Sequence, residues 1–334
     1  MPDKDFSIYK LHMTAPLHLS RGGDEYGESE KVLHSDALKS ALFVAALQLA
    51  PELKDDNGEK FFDAFTLSSA FPFCRDEYFF PKPLSRIQNL EGMDENDAGV
   101  AKKLKKVQYL GKSWFEDLLQ GGKKSIPLAH LVQGGAYVSN LLQENDIIYE
   151  SEVVQRVFVP RNDQDDSEPF YTERLFFGPK AGLWFMIDWQ DKSFSSLLEN
   201  ALELLGDMGI GTDRSVGNGQ FTVQAGELTL NIPEDRQYQL NLSLYCPQAT
   251  EVSPEMLSAA SYQLIKRGGW VSSPEQVEHA TLRKSSVHMF GEGSVFSTSN
   301  QLTGKRVNLK PDYQGFNHPV WRDGRALFLP IIPK

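Results

Sequence analysis

One short segment of the chain combines clustered glycines with an arginine in a pattern that could bind a phosphate. Residues 203–223, ELLGDMGIGTDRSVGNGQFTV, contain five glycines and Arg214. Glycine costs backbone entropy, so a cluster indicates unusual dihedral angles or a close approach of the main chain to another group. Phosphate binding by backbone amides and an arginine is one such use. A capped helix end followed by a bulged turn would have the same composition.

The elements around this glycine loop (residues 209–219) argue against a nucleotide cofactor. Apolar residues at helical spacing predict a helix over residues 193–208, and the alternating segment 220–232 predicts a strand after the loop. The P-loop and the dinucleotide fingerprint need the opposite order, with the strand first. The predicted helix would also present its negative C-terminal end to the loop. We therefore expect no ATP, NAD or other cofactor.

Side chains that could support catalysis or metal binding are scattered along the chain. Seven histidines form no His-Glu-x-x-His motif, and Cys74 and Cys246 are too far apart for a ligand pair. We expect no metal, and two buried free thiols. His18 and His34 lie in or beside an N-terminal polar loop and are candidates for acid–base cleavage of RNA, although simple hydrogen bonding in the loop explains them better.

Composition limits the class of protein. A chain of 334 residues exceeds the usual size of a single core, which favours two domains. The net charge of -11 argues against binding nucleic acid by bulk attraction, yet residues 281–325 carry seven Lys and Arg against three Asp and Glu. No apolar run is long enough to span a membrane and no secretory pattern opens the chain, so we expect a cytoplasmic protein.

Hydrophobic periodicity predicts an α+β fold with antiparallel sheets and helices on one face. Strand patterns at residues 5–13 and 61–83 enclose a helix that begins at Ser35 and Asp36 and stops before Pro51. The expected buried stripe of this helix consists of Leu38, Leu42, Ala45, Ala46 and Leu49.

An inserted helical segment is expected over about residues 85–130, and short strands dominate after residue 151. Two of these strands should form a hairpin whose tip, near residues 160–170, is acidic because it carries Asp163, Asp165, Asp166 and Glu168. The change of pattern divides the chain into domains at 1–150 and 151–334.

Single-stranded RNA recognition accounts for several features together. Such binding needs glycines that let the protein backbone come close to the RNA, basic side chains that contact phosphates, and aromatic rings on which bases stack. Basic or polar candidates near predicted loops are Lys82, Arg156, Arg161, Arg174, Lys284, Ser285 and His288. Taken singly, each fits an ordinary surface residue, and only their joint occurrence favours RNA.

The order of several segments resembles one known family, the RAMP proteins (repeat-associated mysterious proteins) of CRISPR effector complexes. The matching segments include VFVPRNDQDDSEPFYTERLFF, MGIGTDRSVGNGQF and RKSSVHMFGEGSVF, and together with others they span nearly the whole chain. HSDAL, FFPKP and HPVWRDG are similar to the fourth-subunit family of the type III-A (Csm) complex in particular.

This resemblance implies two ferredoxin-like (RRM-like) domains, a β-hairpin thumb and a subunit without catalytic activity. It implies three partners: the 5′ repeat-derived tag of the crRNA, the large polymerase-like subunit and a backbone RAMP subunit. Target cleavage in this family belongs to an aspartate on the backbone subunits, so Asp36 in HSDAL is expected to start a helix and not to catalyse.

The resemblance also assigns residues to RNA binding. In the glycine loop these are Gly209, Gly211, Thr212, Asp213, Arg214, Ser215, Gly217 and Gly219. Main-chain amides would approach the tag and Arg214 would contact a phosphate, with the flanks of the thumb adding further cations. The alternative is a RAMP endoribonuclease that processes precursor crRNA and uses His18 or His34.

Overall fold

The computed structural model describes residues 3–20, 27–84, 98–122, 125–143, 145–159, 167–235, 237–271, 279, 281–298, 300–313 and 316–332. The helices in this part are α1 (Ser35–Leu49), α2 (Glu59–Asp63), α3 (Ala98–Lys106), α4 (Lys112–Leu119), α5 (Ser195–Met208) and α6 (Pro254–Ala259). None of the helices in these ranges is long and apolar enough to cross a membrane.

Strands make up most of the regular structure. In the first part of the chain they are β1 (Asp3–Met13), β2 (Phe65–Leu67), β3 (Phe71–Cys74), β4 (Glu77–Pro81), β5 (Tyr109–Gly111), β6 (Leu131–Val132), β7 (Tyr137–Val138), β8 (Tyr149–Phe158), β9 (Glu168–Phe177), β10 (Ala181–Trp189) and β11 (Phe221–Asn231). The C-terminal part adds β12 (Tyr238–Asn241), β13 (Leu264–Arg267), β14 (Val287–Phe290), β15 (Val295–Ser297), β16 (Arg306–Asn308), β17 (Trp321–Asp323) and β18 (Phe328–Pro330).

The large sheet has a ferredoxin-like centre. Its neighbouring strands run in the order β11-β1-β10-β3, all antiparallel. Helix α1 follows β1 and helix α5 links β10 to β11, which gives the β-α-β-β-α-β order of this fold. The α+β class with antiparallel sheets is thereby confirmed.

This sheet crosses the domain division expected at residue 150. Strand β1 pairs with β11 along its whole length, from Asp3 opposite Asn231 to Met13 opposite Phe221. Strand β10, also after residue 150, pairs with β1 on its other side. The sheet boundary lies instead between β11 and β12, because β12 joins a separate three-stranded sheet with β15 and β18. Residues 3–231 therefore contain all nine strands of the large sheet, and the β8–β9 hairpin forms a separate two-stranded sheet within this range.

Strand β10 lies at the centre of the molecule and is buried on both faces. Leu183 and Phe185 point into the core beneath α1 and α5, whereas Trp184 and Met186 point into the core beneath the inserted segment. A strand that is buried on both faces usually has a nearly continuous run of apolar residues, as GLWFMI does here.

Helix α1 follows its sequence pattern with two differences. Leu42 is fully buried, but Leu49, which we expect in the same stripe, is the last residue of the helix and is 46% exposed. Asp36 lies in the first turn, as expected for a helix start. The Ser35 hydroxyl does not cap the helix; it accepts a hydrogen bond from the Leu244 amide at 2.8 Å.

Two other patterns fold differently from the expectation. The segment from Phe61, read as a strand, begins inside α2. In YQLNLSLY, leucines alternate strictly with polar residues, which is typical of a strand with one face in solvent, yet Asn241 and Ser243 are buried. The Ser243 hydroxyl donates to the Leu67 carbonyl of the N-terminal part at 2.8 Å, and the Asn241 amide donates to carbonyls of its own region. Their hydrogen bonds offset the cost of burying polar groups.

Charged side chains join α1 to the C-terminal part in what we call the α1 ion network. Its three ion-pair sets connect the first turns of α1 to β13, to the loop before β15 and to β17. The pairs are His34–Glu292 at 2.8 Å, Asp36–Arg267 at 2.9 Å, Asp36–Arg322 at 3.1 Å and Lys39–Asp323 at 3.0 Å. All of these side chains are at most 11% exposed, so the network lies between the two parts of the chain.

Truncating Leu42 should destabilise the protein far more than truncating Leu49 on the same helix. Leu42→Ala removes a fully buried side chain and should lower the free energy of unfolding by about 2–5 kcal/mol. Leu49→Ala changes an exposed side chain and should cost less than about 0.5 kcal/mol. Denaturant unfolding of the isolated chain measures both, and equal losses would contradict this placement of α1.

Candidate nucleic-acid interface

The glycine loop connects the C-terminal end of α5 to β11 and turns repeatedly. Five of its residues have positive φ: Gly209, Gly211, Asp213, Gly217 and Gly219. Gly211 has φ +89° and packs against residue 18, where a Cβ would overlap the His18 carbonyl oxygen. Gly217 has φ +82° with open space around it. Close approach of the main chain thus occurs within the protein itself at Gly211.

The amides of the loop divide into two groups. Gly209, Thr212 and Gly219 donate to the carbonyls of Leu205, His18 and Pro16, at 2.9, 3.0 and 2.8 Å. Within the described ranges, the amides of Gly211 and of residues 213–215 have no acceptor. This second group can donate to oxygens of a ligand, which is the chemistry of a backbone anion site.

The hairpin of β8 and β9 contacts the glycine loop. Arg156 Nη1 of β8 lies 2.8 Å from Asp213 Oδ2, and both side chains are about one-quarter exposed. His18 joins the same junction: its Nδ1 lies 2.7 Å from the Glu173 carbonyl of β9, and its own carbonyl accepts from Thr212. The hairpin itself is confirmed as predicted, but its tip at residues 160–166, with Arg161, lies outside the described residues.

A cleft of about 740 Å³ opens beside the glycine loop. Its walls are α1, the glycine loop, the end of β13 with the segment after it, and the approach to β17. Of the residues predicted to bind RNA, those that line the cleft are Gly209, Gly211, Thr212, Arg214 and Lys284. Arg267, Trp270, His318, Trp321 and Arg322 also line it, and sequence reasoning did not select them.

Three members of the α1 ion network, His34, Arg267 and Arg322, line this cleft, and their buried partners fix its charges. Burial alone would raise the pKa of Asp36, but the charges of Arg322 and Arg267 outweigh it and hold the pKa well below its usual range. Asp36 is therefore an anion that fixes two guanidinium groups. Burial, reinforced by the charge of Arg322, lowers the pKa of Lys284 to about 8. Lys284 is still mostly protonated at neutral pH and provides a cation on the cleft wall.

His34 and His18 are both buried. His34 lies between Glu292 at 2.8 Å and Glu30 at 2.7 Å, and each ring nitrogen faces one carboxylate. Burial would lower its pKa, but the charge and hydrogen bond of Glu292, with that of Glu30, raise the pKa to about 10. His18 is 1% exposed. A cationic His34 has no free lone pair and cannot accept a proton near neutral pH.

Four remaining candidates lie outside the cleft lining. Lys82 donates to the Leu104 carbonyl at the end of α3, at 3.3 Å. Arg174 lies opposite Glu152 on the hairpin, and its buried Nε has no acceptor within the ranges given above. The Ser285 hydroxyl donates to the Lys310 carbonyl at 3.2 Å, and His288 is exposed opposite Lys266. The predicted set is thus divided between the cleft and other surfaces.

The described ranges contain no group of three or more His, Cys, Asp or Glu side chains that could hold a metal ion. Cys74 and Cys246 are buried free thiols, as expected.

A ferredoxin-like sheet, a glycine loop after its second helix and a β-hairpin beside that loop define a RAMP-type protein. A family model described as "RAMP superfamily" matches residues 10–222, and one described as "CRISPR Csm4 C-terminal domain" matches residues 234–331. The chain belongs to the RAMP superfamily and, within it, to the Csm4 family. The resemblance found in the sequence is confirmed.

Individual relatives agree with this assignment. The chain is 32% identical over 221 residues to the CRISPR system Cms protein Csm4 of Thermococcus onnurineus, covering 64% of this chain and 67% of the relative. Its fold resembles a chain in the crystal structure of a Csm1–Csm4 cassette in complex with cA4 (TM-score 0.65, 21% identity, 99% of each chain). A chain of a Csm3–Csm4 subcomplex from a type III-A interference complex is similar (TM-score 0.64, 19% identity, 98% of this chain and 100% of that chain).

The raised pKa of His34 should appear as a pH dependence of stability. Because the folded-state pKa of about 10 exceeds the ordinary value of 6.5, the stabilisation from His34 is fully present below pH 6.5. It is lost as the pH rises from 6.5 through 10. The difference in unfolding free energy between the native protein and His34→Gln should therefore shrink from pH 6 to pH 10.

Denaturant unfolding at pH 6, 8 and 10 measures this difference. The lysines Lys39 and Lys284, whose pKa values fall to about 8, titrate in both proteins, so their effects cancel to first order. A difference that disappears by pH 7 would show that His34 is neutral in the folded protein and would contradict its ion pairs.

Proposed function

We propose that this chain is a non-catalytic RNA-binding subunit of a type III-A CRISPR interference complex and that it binds the 5′ repeat-derived tag of the crRNA in the cleft. The observation that carries the proposal is that separate candidates line the same cleft. Residues of the glycine loop and Lys284, about 70 residues further along the chain, were predicted separately to bind RNA and lie together on its walls. A ligand in this cleft would contact backbone amides and cations from both parts of the chain.

The chemistry of the cleft suits a single RNA strand. Arg214 and Lys284 form no ion pair with any described carboxylate, so their charges are available to phosphates. The amides of Gly211 and residues 213–215 add donors in the same region. Contacts of this kind position a nucleic acid and carry little base specificity. Because the chain as a whole is acidic, electrostatic attraction of RNA would be limited to this basic cleft.

We assign two protein partners to the chain, the large polymerase-like subunit and a backbone RAMP subunit. Solved relatives with the same fold occur in a Csm1–Csm4 cassette and in a Csm3–Csm4 subcomplex, which supports one partner of each kind. In this role, which belongs to antiviral defence, the chain bridges the polymerase-like subunit and the backbone RAMP subunit and holds the tag between them.

The absence of catalysis is part of this proposal. His34, which lines the cleft, is held as a cation between two glutamates, and His18 is buried. Asp36 is fully buried and paired with two arginines, so it cannot reach a substrate. These contacts favour the scaffold role over the alternative endoribonuclease that processes precursor crRNA.

Replacing Arg214 or Lys284 should weaken binding of tagged RNA. Arg214→Ala and Lys284→Ala should each reduce affinity roughly tenfold, because each loses a charge-assisted contact to phosphate. The slope of log affinity against log salt should fall in magnitude by about 0.7 for each lost contact. The assay is salt-titrated binding of tagged and untagged RNA to the chain assembled with its neighbouring subunits.

Lys192→Ala is a matched control, since Lys192 is exposed at the opposite end of α5 from the glycine loop. It should leave affinity and salt slope unchanged. Equal binding by the native protein and both cleft variants would refute RNA binding in this cleft. Cleavage of precursor RNA by the isolated chain, abolished in His34→Ala, would replace the scaffold role by the endoribonuclease.

A further inference from the structure

Trp270 lies on the wall of the cleft and has no part in the contacts described above. Its side chain is 52% exposed and borders the same cavity as Arg214 and Lys284. An indole ring offers a large flat surface, and rings of this kind usually pack or bind when they occur on a protein surface. Its position beside two cations indicates a ligand that is both planar and anionic.

The backbone around Trp270 is fixed on both sides. The Val271 amide donates to the Leu282 carbonyl at 2.9 Å, and the Lys284 amide donates to the Gly269 carbonyl at 2.8 Å. These bonds make Trp270 a cross-strand neighbour of Arg283. The ring is thus carried on a paired segment, so little conformational entropy is lost when a ligand stacks on it.

The α1 ion network anchors this segment to the rest of the protein. Arg322 donates through Nη2 to the Gly268 carbonyl at 2.5 Å, and its Nη1 lies 3.1 Å from the buried Asp36. A chain of direct contacts therefore runs from the first turn of α1 to the residue two positions before Trp270. The indole is held at a defined place relative to the glycine loop.

One face of the indole is already occupied. The Arg283 guanidinium carbon lies 4.7 Å from the centre of the ring, a cation–π distance. Since half of the side chain is still accessible, the remaining surface can receive a second planar group. A nucleobase stacks on such a surface whatever its sequence, because every base has a π face.

We propose that Trp270 is a stacking platform for one base of the RNA strand bound in the cleft. The inference rests on the proposed function, because the strand is the one whose phosphates meet Arg214 and Lys284. The alternative occupant of an exposed tryptophan is a protein side chain. The surrounding cations, Arg283 and Lys284 beside the ring and Arg214 across the cleft, favour a polyanion whose bases are unpaired.

A double-mutant cycle tests the stacking directly. The native complex and a Trp270→Ala complex are titrated with tagged crRNAs in which each tag nucleotide in turn is made abasic. At one position, the abasic RNA should bind roughly 5- to 100-fold more weakly to the native protein and with no further loss to Trp270→Ala. Trp270→Phe should restore most of the coupling, because it retains an aromatic face.

Two further readouts separate stacking from other roles of Trp270. The salt slope should be the same in Trp270→Ala as in the native protein, because a stacked base involves no phosphate contact. Tyr262→Ala is the matched control: Tyr262 is an exposed aromatic residue of the same C-terminal part that does not line the cleft. It should show no coupling to any nucleotide.

The outcomes are distinct. If the native protein prefers tagged RNA but no abasic position couples to Trp270→Ala, the stacking proposal is wrong while the proposed function stands. If Trp270→Ala instead loses assembly with a neighbouring subunit and shows no coupling, the residue is a protein contact and stacking is again refuted. If the native protein shows no preference for tagged RNA, the proposed function is refuted, and the stacking proposal that rests on it is refuted with it.

Discussion

Burial of charge at the start of α1 is the constraint on which the rest of the structure depends. The α1 ion network removes several full charges from water, which costs free energy unless every group finds a partner in good geometry. Each charged residue of α1 in the network has at least one such partner in the C-terminal part. Removing Asp323, the carboxylate paired with Lys39, would leave a buried ammonium group uncompensated, at a cost of about 3–5 kcal/mol. The two parts of the chain are therefore required to dock in one arrangement.

The same network determines the cleft. Arg267 and Arg322 line the cleft floor, but Asp36 fixes their guanidinium groups and neutralises part of their charge. Arg214 and Lys284 remain as the cations not committed to a carboxylate within the described part of the chain. The arginines that hold the two parts of the chain together, Arg267 and Arg322, are therefore different from the cations that are available to a ligand.

Local patterns in the sequence predicted local structure well. The helical stripe of α1, helix α5, the strand after the glycine loop and the β8–β9 hairpin are all present. The domain division near residue 150 did not follow from such patterns, because the central sheet pairs β1 with strands far along the chain. Burial of Ser243 does not follow from a local pattern for the same reason: the carbonyl that accepts from its hydroxyl, that of Leu67, comes from the N-terminal part.

The glycine loop of the candidate site could be predicted from the sequence, but the other residues that line the cleft were not. Glycine clustering identified residues 209–219, yet Gly211 serves packing against His18, which no sequence pattern reveals. Trp270 and Arg322 stand in KRGGW and HPVWRDG, where an aromatic residue adjoins basic ones. That proximity was a usable signal. Arg267 of KRGGW and Arg322 converge on Asp36 of α1 across more than 200 residues of chain, and only the folded structure brings them together.

The pairing of β1 with β11 determines when this protein can fold. On one edge, all eleven residues of β1 pair with β11, which begins at residue 221, so at about 5–20 residues per second this edge waits for roughly 10–45 s. During that time one of its edges is an unpaired template for other chains. The partners of α1 in the C-terminal part emerge later still. Such a high contact order makes folding slow and places the closing of the interface, and with it of the cleft, at the end of synthesis.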